Sequence, residues 1–348
     1  MTMELILLGD VNLLGVADPS APFARVEERL KGAAARFANL ECCLYAPPEA
    51  HSLEREGFFA DPEIAGKALS LAGIDAVGLA NNVNYGGEAI RSSIGRLDRL
   101  QILHTGAGKN LAEARAPAIL ERRGVRFGFL QRSSVYWPTG HEAAADAPGI
   151  AVLRGHTAYH LPLHKTGRGL PPMNRPGIPP IILTWADPQY LDEFAADIAA
   201  LRAQVDVVVA SCHWGLGREV LQYMREIGKR AIDAGADIVI GHGPHFALPV
   251  EVYRGRPIFY GLGSFSFERG HGGRRHGDWL GMMVRLFRDG SATRAAFRFV
   301  RHNDQNETVL SPAAEEAAAL AELARESAGF GARLLVEGED VFVVAGES

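Results

Sequence analysis

Cysteine is scarce: Cys42, Cys43 and Cys212 are three thiols in 348 residues. None has CxxC spacing, adjacent Cys42 and Cys43 bridge only with strain, and an odd count argues against a disulfide framework. Long apolar runs are missing too. No stretch approaches the roughly 18 residues that a membrane-spanning helix needs. The opening Met-Thr-Met-Glu-Leu-Ile-Leu-Leu-Gly-Asp lacks a basic n-region, a signal-length apolar run and a small-residue cleavage site. Nor is there an excess of positive charge. The 36 Lys and Arg stand against 41 Asp and Glu, a net charge of -5, which gives no electrostatic reason for a nucleic-acid or anionic-membrane partner. These absences lead to the expectation of a cytoplasmic protein with a small-molecule partner.

What is present is ordinary globular composition, 47% hydrophobic and 22% charged, enough for a sizeable core. The first two-thirds alternates short apolar runs with amphipathic stretches, the pattern of β-α units around a sheet. Strands are expected over residues 4–8, 35–39, 76–79, 101–104, 126–130, 205–211 and 237–240. Helices are expected over 62–71, 88–100, 190–202 and 219–234, each with a one-sided apolar stripe. The segments 251–253, 257–260, 280–288 and 293–301 look antiparallel, with turns at Arg254-Gly255 and Asp289-Gly290. A main domain over residues 1–310 is expected, with residues 311–348 adding a helix and a hairpin packed on it. Residues 139–180, rich in Pro, Gly and His, break the rhythm as a long irregular insertion.

The polar residues that chemistry needs fall at the ends of the expected strands. Asp10 follows the first strand, Glu41 the second and Asn82 the third, while His213 and the pair His242 and His245 follow two later ones. Parallel strands bring such groups to one sheet edge despite their separation in sequence, and that edge is where α/β proteins gather ligands. Each residue alone has a plain explanation as a turn, a cap or a core histidine. As a set they form a mixed oxygen and nitrogen donor group suited to Mn, Fe or Zn.

In order, Gly9-Asp10-Val11, Asn39-Leu40-Glu41, Ala80-Asn81-Asn82, Tyr85-Gly86, His213-Trp214-Gly215, Asp233-Ala234-Gly235-Ala236-Asp237, Gly241-His242-Gly243-Pro244-His245 and Tyr260-Gly261-Leu262-Gly263-Ser264-Phe265 resemble the motif series of the poly-γ-glutamate capsule-biosynthesis family of CapA type. That family is related to the calcineurin-like metallophosphoesterases. The resemblance covers about residues 4 to 300 and implies an α/β fold, a four-layer α-β-β-α sandwich, with two divalent metal ions held between the sheets. It implies that Asp10 and His245 hold one ion, that Glu41 bridges, and that Asn82, His213 and His242 hold the other. Asn12 stands where such phosphoesterases often carry histidine and is expected to add a ligand.

The chain also departs from the pattern. The family commonly reads Asn-Asn-His, two residues, then Asp-Tyr-Gly; here Asn82-Val83-Asn84-Tyr85-Gly86 is two residues shorter. Valine moves no proton, so either another residue supplies the acid-base role that the resemblance gives to histidine at Val83 or the chemistry differs. His271 and His276, in a Gly-rich basic loop, are candidates, with Asn82 and His213 as further catalytic residues. A solvated loop is the plainer reading of the two histidines. For an anionic substrate, Arg175 and Tyr159 in the irregular segment, Arg218 at a helix start and Trp214 beside a ligand are the candidate contacts. The expected activity is metal-dependent hydrolysis of a phosphoester or an amide, possibly γ-glutamyl. An amide-forming transferase or ligase-like enzyme and a non-catalytic component of poly-γ-glutamate synthesis are the alternatives.

Overall fold

The short apolar runs show no polar alternation because both faces of their strands are covered. In Met3–Asn12, Leu5 and Leu7 enter one core while Ile6 and Leu8 enter another. The computed structural model describes residues 3–48, 57–160, 179–215, 217–269, 277 and 279–346.

Two large sheets carry the fold, one of ten strands and one of six. In the larger, Met3–Asn12, Ala35–Leu40, Ala76–Gly78 and Leu103–Thr105 run parallel in that order. On the other side of Met3–Asn12, Gly281–Asp289, Ala292–His302 and Asp340–Ala345 continue antiparallel. The smaller sheet runs parallel through Val125–Ser133, Val207–His213, Ile238–His242 and Arg256–Phe259. This is a mixed α/β fold. The strand at Ala332–Glu337 joins the larger sheet through Asp340–Ala345, so the C-terminal hairpin extends it.

Side chains from both sheets meet in one cluster, including Leu5, Leu7 and Phe37 from the first and Phe129, Val207, Val209 and Ile240 from the second. The rings of Phe37 and Phe129 stack with centroids 4.8 Å apart. The other face of the larger sheet packs Ile6, Leu8 and Ala38 with Leu69, Ile90, Ile94 and Leu97 from helices Pro62–Leu71 and Gly87–Arg99. The other face of the smaller sheet packs Val208, Ala210 and Val239 with helices Pro188–Arg202 and Gln222–Asp233, through Phe194, Ile198, Met224 and Ile227. Two of these helices begin alike. Asp61 and Asp187 each accept two backbone N–H groups, and proline takes the first helical position, where its missing N–H is no loss.

The expected irregular insertion is only partly irregular. Gly155–His160 pairs antiparallel with Ile181–Ala186. Gly-His-Thr-Ala-Tyr-His carries little apolar signal because most of that strand lies near the surface. Residues 161–178, which include Arg175, lie outside the described residues. Among the described residues, no helix is long and apolar enough to cross a membrane.

The inter-sheet core sets the stability scale. Phe129→Ala leaves a cavity facing Phe37 and is expected to cost about 3–5 kcal/mol. Urea unfolding of the full chain measures this; a loss under about 1 kcal/mol would contradict the stacking as a principal contact.

Candidate metal centre

Backbone irregularity aims the first donor. The pairing of Met3–Asn12 shifts register around Asp10 against both Ala35–Leu40 and the short parallel strand Ser264–Phe267, and such bulges re-aim a side chain. Gly9 permits the close approach that this needs: a Cβ there would lie 2.0 Å from the carbonyl oxygen of Gly263. Glu41 follows Ala35–Leu40 directly, its backbone N–H donating to Val11. His245 adopts a left-handed backbone with φ of +63°, a conformation that a non-glycine residue holds only when its surroundings demand it.

These three side chains converge. Each offers a ligand atom within 4.8 Å of the others'. His245 Nδ1 lies 3.0 Å from Asp10 Oδ2, and its Nε2 lies 3.6 Å from Glu41 Oε1. Two imidazoles from the smaller sheet join them. His242 Nδ1 is 3.1 Å from Asp10 Oδ1, and His213 Nε2 is 3.9 Å from Glu41 Oε1. The register that pairs His213 with His242 places both at the same sheet edge.

The tautomer of His213 follows from its neighbour. Ser133 Oγ donates to Val135 O at 2.7 Å and lies 3.2 Å from His213 Nδ1. With its proton so placed, the hydroxyl accepts from Nδ1–H and leaves the Nε2 lone pair toward Glu41. Among the described residues, neither the buried His213 Nε2 nor the buried His242 Nε2 has a hydrogen-bond partner.

Charge is strongly biased here. Burial raises the Asp10 carboxyl, but hydrogen bonds from His242 and His245 outweigh it and hold the group well below the usual range. Burial and the neighbouring Asp10 carboxylate push Glu41 well above it. His245 loses from burial but gains more from Glu41 and Asp10, and is raised to about 9. Burial lowers His213 to about 4. Two buried carboxylates beside imidazoles with orphaned nitrogens fit a divalent cation, which would satisfy both kinds of group at once.

Residues 4–269 match the family model described as bacterial capsule synthesis protein PGA_cap. The chain belongs to this family. An uncharacterized protein of Sinorhizobium fredii is 28% identical over 309 residues, 76% of this chain and 66% of that protein. The PGA biosynthesis protein CapA of Bacillus subtilis is 28% identical over 209 residues, 59% and 45% of the two chains. A probable polyglutamine synthesis accessory protein of Mycobacterium tuberculosis is 30% identical over 193 residues, 53% and 43%. The match thus spans between about two-fifths and two-thirds of the length of these relatives.

Against the expectations for a PGA_cap member, the donors divide. Asp10, Glu41, His245, His242 and His213 come together. The Asn12 amide is held by the loop: its Oδ1 accepts from Leu14 N–H and its Nδ2 donates to Arg269 O. Asn82 is half-buried, and its backbone carbonyl accepts from the Trp137 indole N–H at 2.9 Å. Trp214 is no pocket floor. It is fully buried, packs in the helix-side core and donates to Tyr260 O. Tyr159 is 70% exposed on the Gly155–His160 ribbon. Arg218 stacks on Phe246, the residue after His245, at 3.9 Å from the ring centroid. His271, His276 and Arg175 lie outside the described residues.

Val83 is buried in the helix-side core. The nearby His141 does not replace the missing histidine. Its Nδ1 accepts from Trp137 N–H and its Nε2 donates to Asn84 O, so the neutral ring braces the loop. Sequence reading passed over His141, Ser133 and Asn39 because their roles depend on partners distant in sequence.

Burial, chiefly, lowers His141 to about 4. The unfolded chain therefore binds a proton that the native state refuses between the ordinary value near 6.5 and about 4. Stability is lost as pH falls through that window, by roughly 3 kcal/mol from this group. Urea unfolding of metal-free protein from pH 7.5 to 4.5 should show a shallower pH slope for His141→Gln than for wild type. Equal slopes would refute the assignment.

Proposed function

We propose that the chain is a metal-dependent hydrolase with a dinuclear centre, acting on a phosphoester or amide bond of an anionic small molecule. The observation that carries this is the convergence of Asp10, Glu41 and His245 with two further imidazoles that have orphaned buried nitrogens. We read the arrangement of sheets and helices as the four-layer α-β-β-α sandwich of the metallophosphoesterases. Asp10, Glu41 and His245 would hold one ion, and His213, His242 and Asn82 would complete a second position. Divalent ions in such a place stabilise the negative charge that develops on an attacked phosphoryl or acyl group and make water more acidic.

The chain's own groups prepare that chemistry. Burial keeps His213 neutral and ready to donate a lone pair. His245, with its side chain 22% exposed, lies at the boundary between the buried carboxylates and solvent. A cavity of about 300 Å³ that none of these ligands lines is bounded by Arg218, Phe246, Trp279, Arg301, Glu322 and Glu326 among others.

Val83 favours a second reading. Valine stands where the resemblance expects the proton donor, and the nearby His141 has both nitrogens engaged. The same centre would then hold metal for an accessory role in polyglutamate synthesis, as the names of two relatives suggest.

Metal content of protein purified without added metal, measured by plasma mass spectrometry, tests the first step. About two equivalents of Mn, Fe or Zn are expected for wild type, falling to one or fewer in Glu41→Ala and His245→Ala. Metal-loaded protein should then cleave members of a phosphoester and amide panel. Full metal content without turnover would transfer the conclusion to the accessory reading, and no metal under any loading condition would remove both.

A further inference from the structure

We propose that Gln131, on the smaller sheet, is a positioning residue for the carboxylates of the larger one: through Asn39 it fixes which oxygens of Asp10 and Glu41 face a metal ion. The inference rests on the metal-centre reading above and deepens it.

Asn39 spends both hydrogens of its amide on the two carboxylates, donating to Asp10 Oδ1 at 2.9 Å and to Glu41 Oε2 at 3.2 Å. Asp10 Oδ2 and Glu41 Oε1 remain, and these are the oxygens that approach His245, with Oε1 also nearest His213. A side-chain amide is nearly symmetric in shape, however. A half-turn of Asn39 would set its carbonyl against two carboxylates and release both.

Two anchors oppose that half-turn. Asn39 Oδ1 accepts from Gln131 Nε2 at 3.0 Å and from Asn81 Nδ2 at 3.1 Å. Gln131 in turn is oriented by the Ala80 backbone N–H, which donates to its Oε1 at 2.6 Å. Asn81 is oriented by the backbone N–H groups of Val83 and Asn84, which donate to its Oδ1. A backbone N–H can only donate, so the sense of every bond in the chain is fixed from its ends. Gln131, Asn39 and Asn81 are fully buried, which makes a wrongly turned amide costly.

The surrounding backbone makes room for this amide. Gly78 lies within Ala76–Gly78, where glycine weakens a strand. A Cβ there would stand 2.3 Å from Gln131 Cδ. At Gly106 it would stand 2.8 Å from Ala80 N and 3.1 Å from Gln131 Oε1. Two glycines thus clear the path by which a side chain of one sheet reaches the metal-facing carboxylates of the other.

The test uses full-length protein stripped of metal, with Zn²⁺ alone as the probe. Zn²⁺ affinity is measured by competition with a chelating dye, and stability of the metal-free protein by urea unfolding. Gln131→Glu keeps the shape but replaces the donor by an acceptor; Gly78→Ala displaces the amide without replacing any polar residue. In variants whose circular dichroism matches wild type, Zn²⁺ binding is expected to weaken by about tenfold or more, the usual scale for partners that orient metal ligands. Ser211→Ala removes the second acceptor of Gln131 Nε2 and leaves the packing nearly intact. It carries the test if the larger changes do not fold, with a several-fold weakening expected. Variants that lose stability but bind Zn²⁺ as wild type does would overturn the inference and leave the metal centre standing. Wild type that binds no Zn²⁺ would overturn the metal centre, and this inference with it.

Discussion

Asp10 and Glu41 are buried side by side, and like charges so close in a low-dielectric interior repel strongly. Most of the local architecture answers that constraint. His245 and His242 hold Asp10 ionised, while Glu41 is driven toward its neutral form. Such an arrangement is costly for a merely structural core, where apolar residues of similar volume would serve as well or better. Its cost is reasonable if a cation enters, because positive charge then reconciles both carboxylates and engages the orphaned nitrogens of His213 and His242.

The fold delivers these groups through parallel strands. Side chains that leave Met3–Asn12 and Ala35–Leu40 at their C-terminal ends meet those that leave Val207–His213 and Ile238–His242, because the two sheets face each other across a shared apolar core. The core supplies rigidity, and the polar chain from Ala80 through Gln131 and Asn39 supplies direction. Position and orientation thus come from different parts of the same interface.

Much of this was legible in the residues. Each apolar run from 4–8 to 237–240 became a strand, since runs buried on both faces need no tertiary information to be recognised. Asp10, Glu41, His213 and His242 were found because strand ends converge in a parallel sheet. The Asn12 amide is held by Leu14 and Arg269, partners no spacing reveals. Trp214 packs in the core, the plainer reading of an indole at that place, because strand alternation turns it away from His213. Gln131 left no signal at all. Its importance lies in a hydrogen bond across 92 positions of sequence and in two glycines that make space for it.

The central claim is that the buried carboxylates and imidazoles form a cation-binding centre. Anomalous diffraction from crystals of the full chain soaked in Mn²⁺, collected at two wavelengths, examines it most directly. The account predicts a metal-specific peak in contact with Asp10, Glu41 and His245. Clean density with His245 still paired to Asp10, in crystals where Mn²⁺ is found elsewhere, would contradict it.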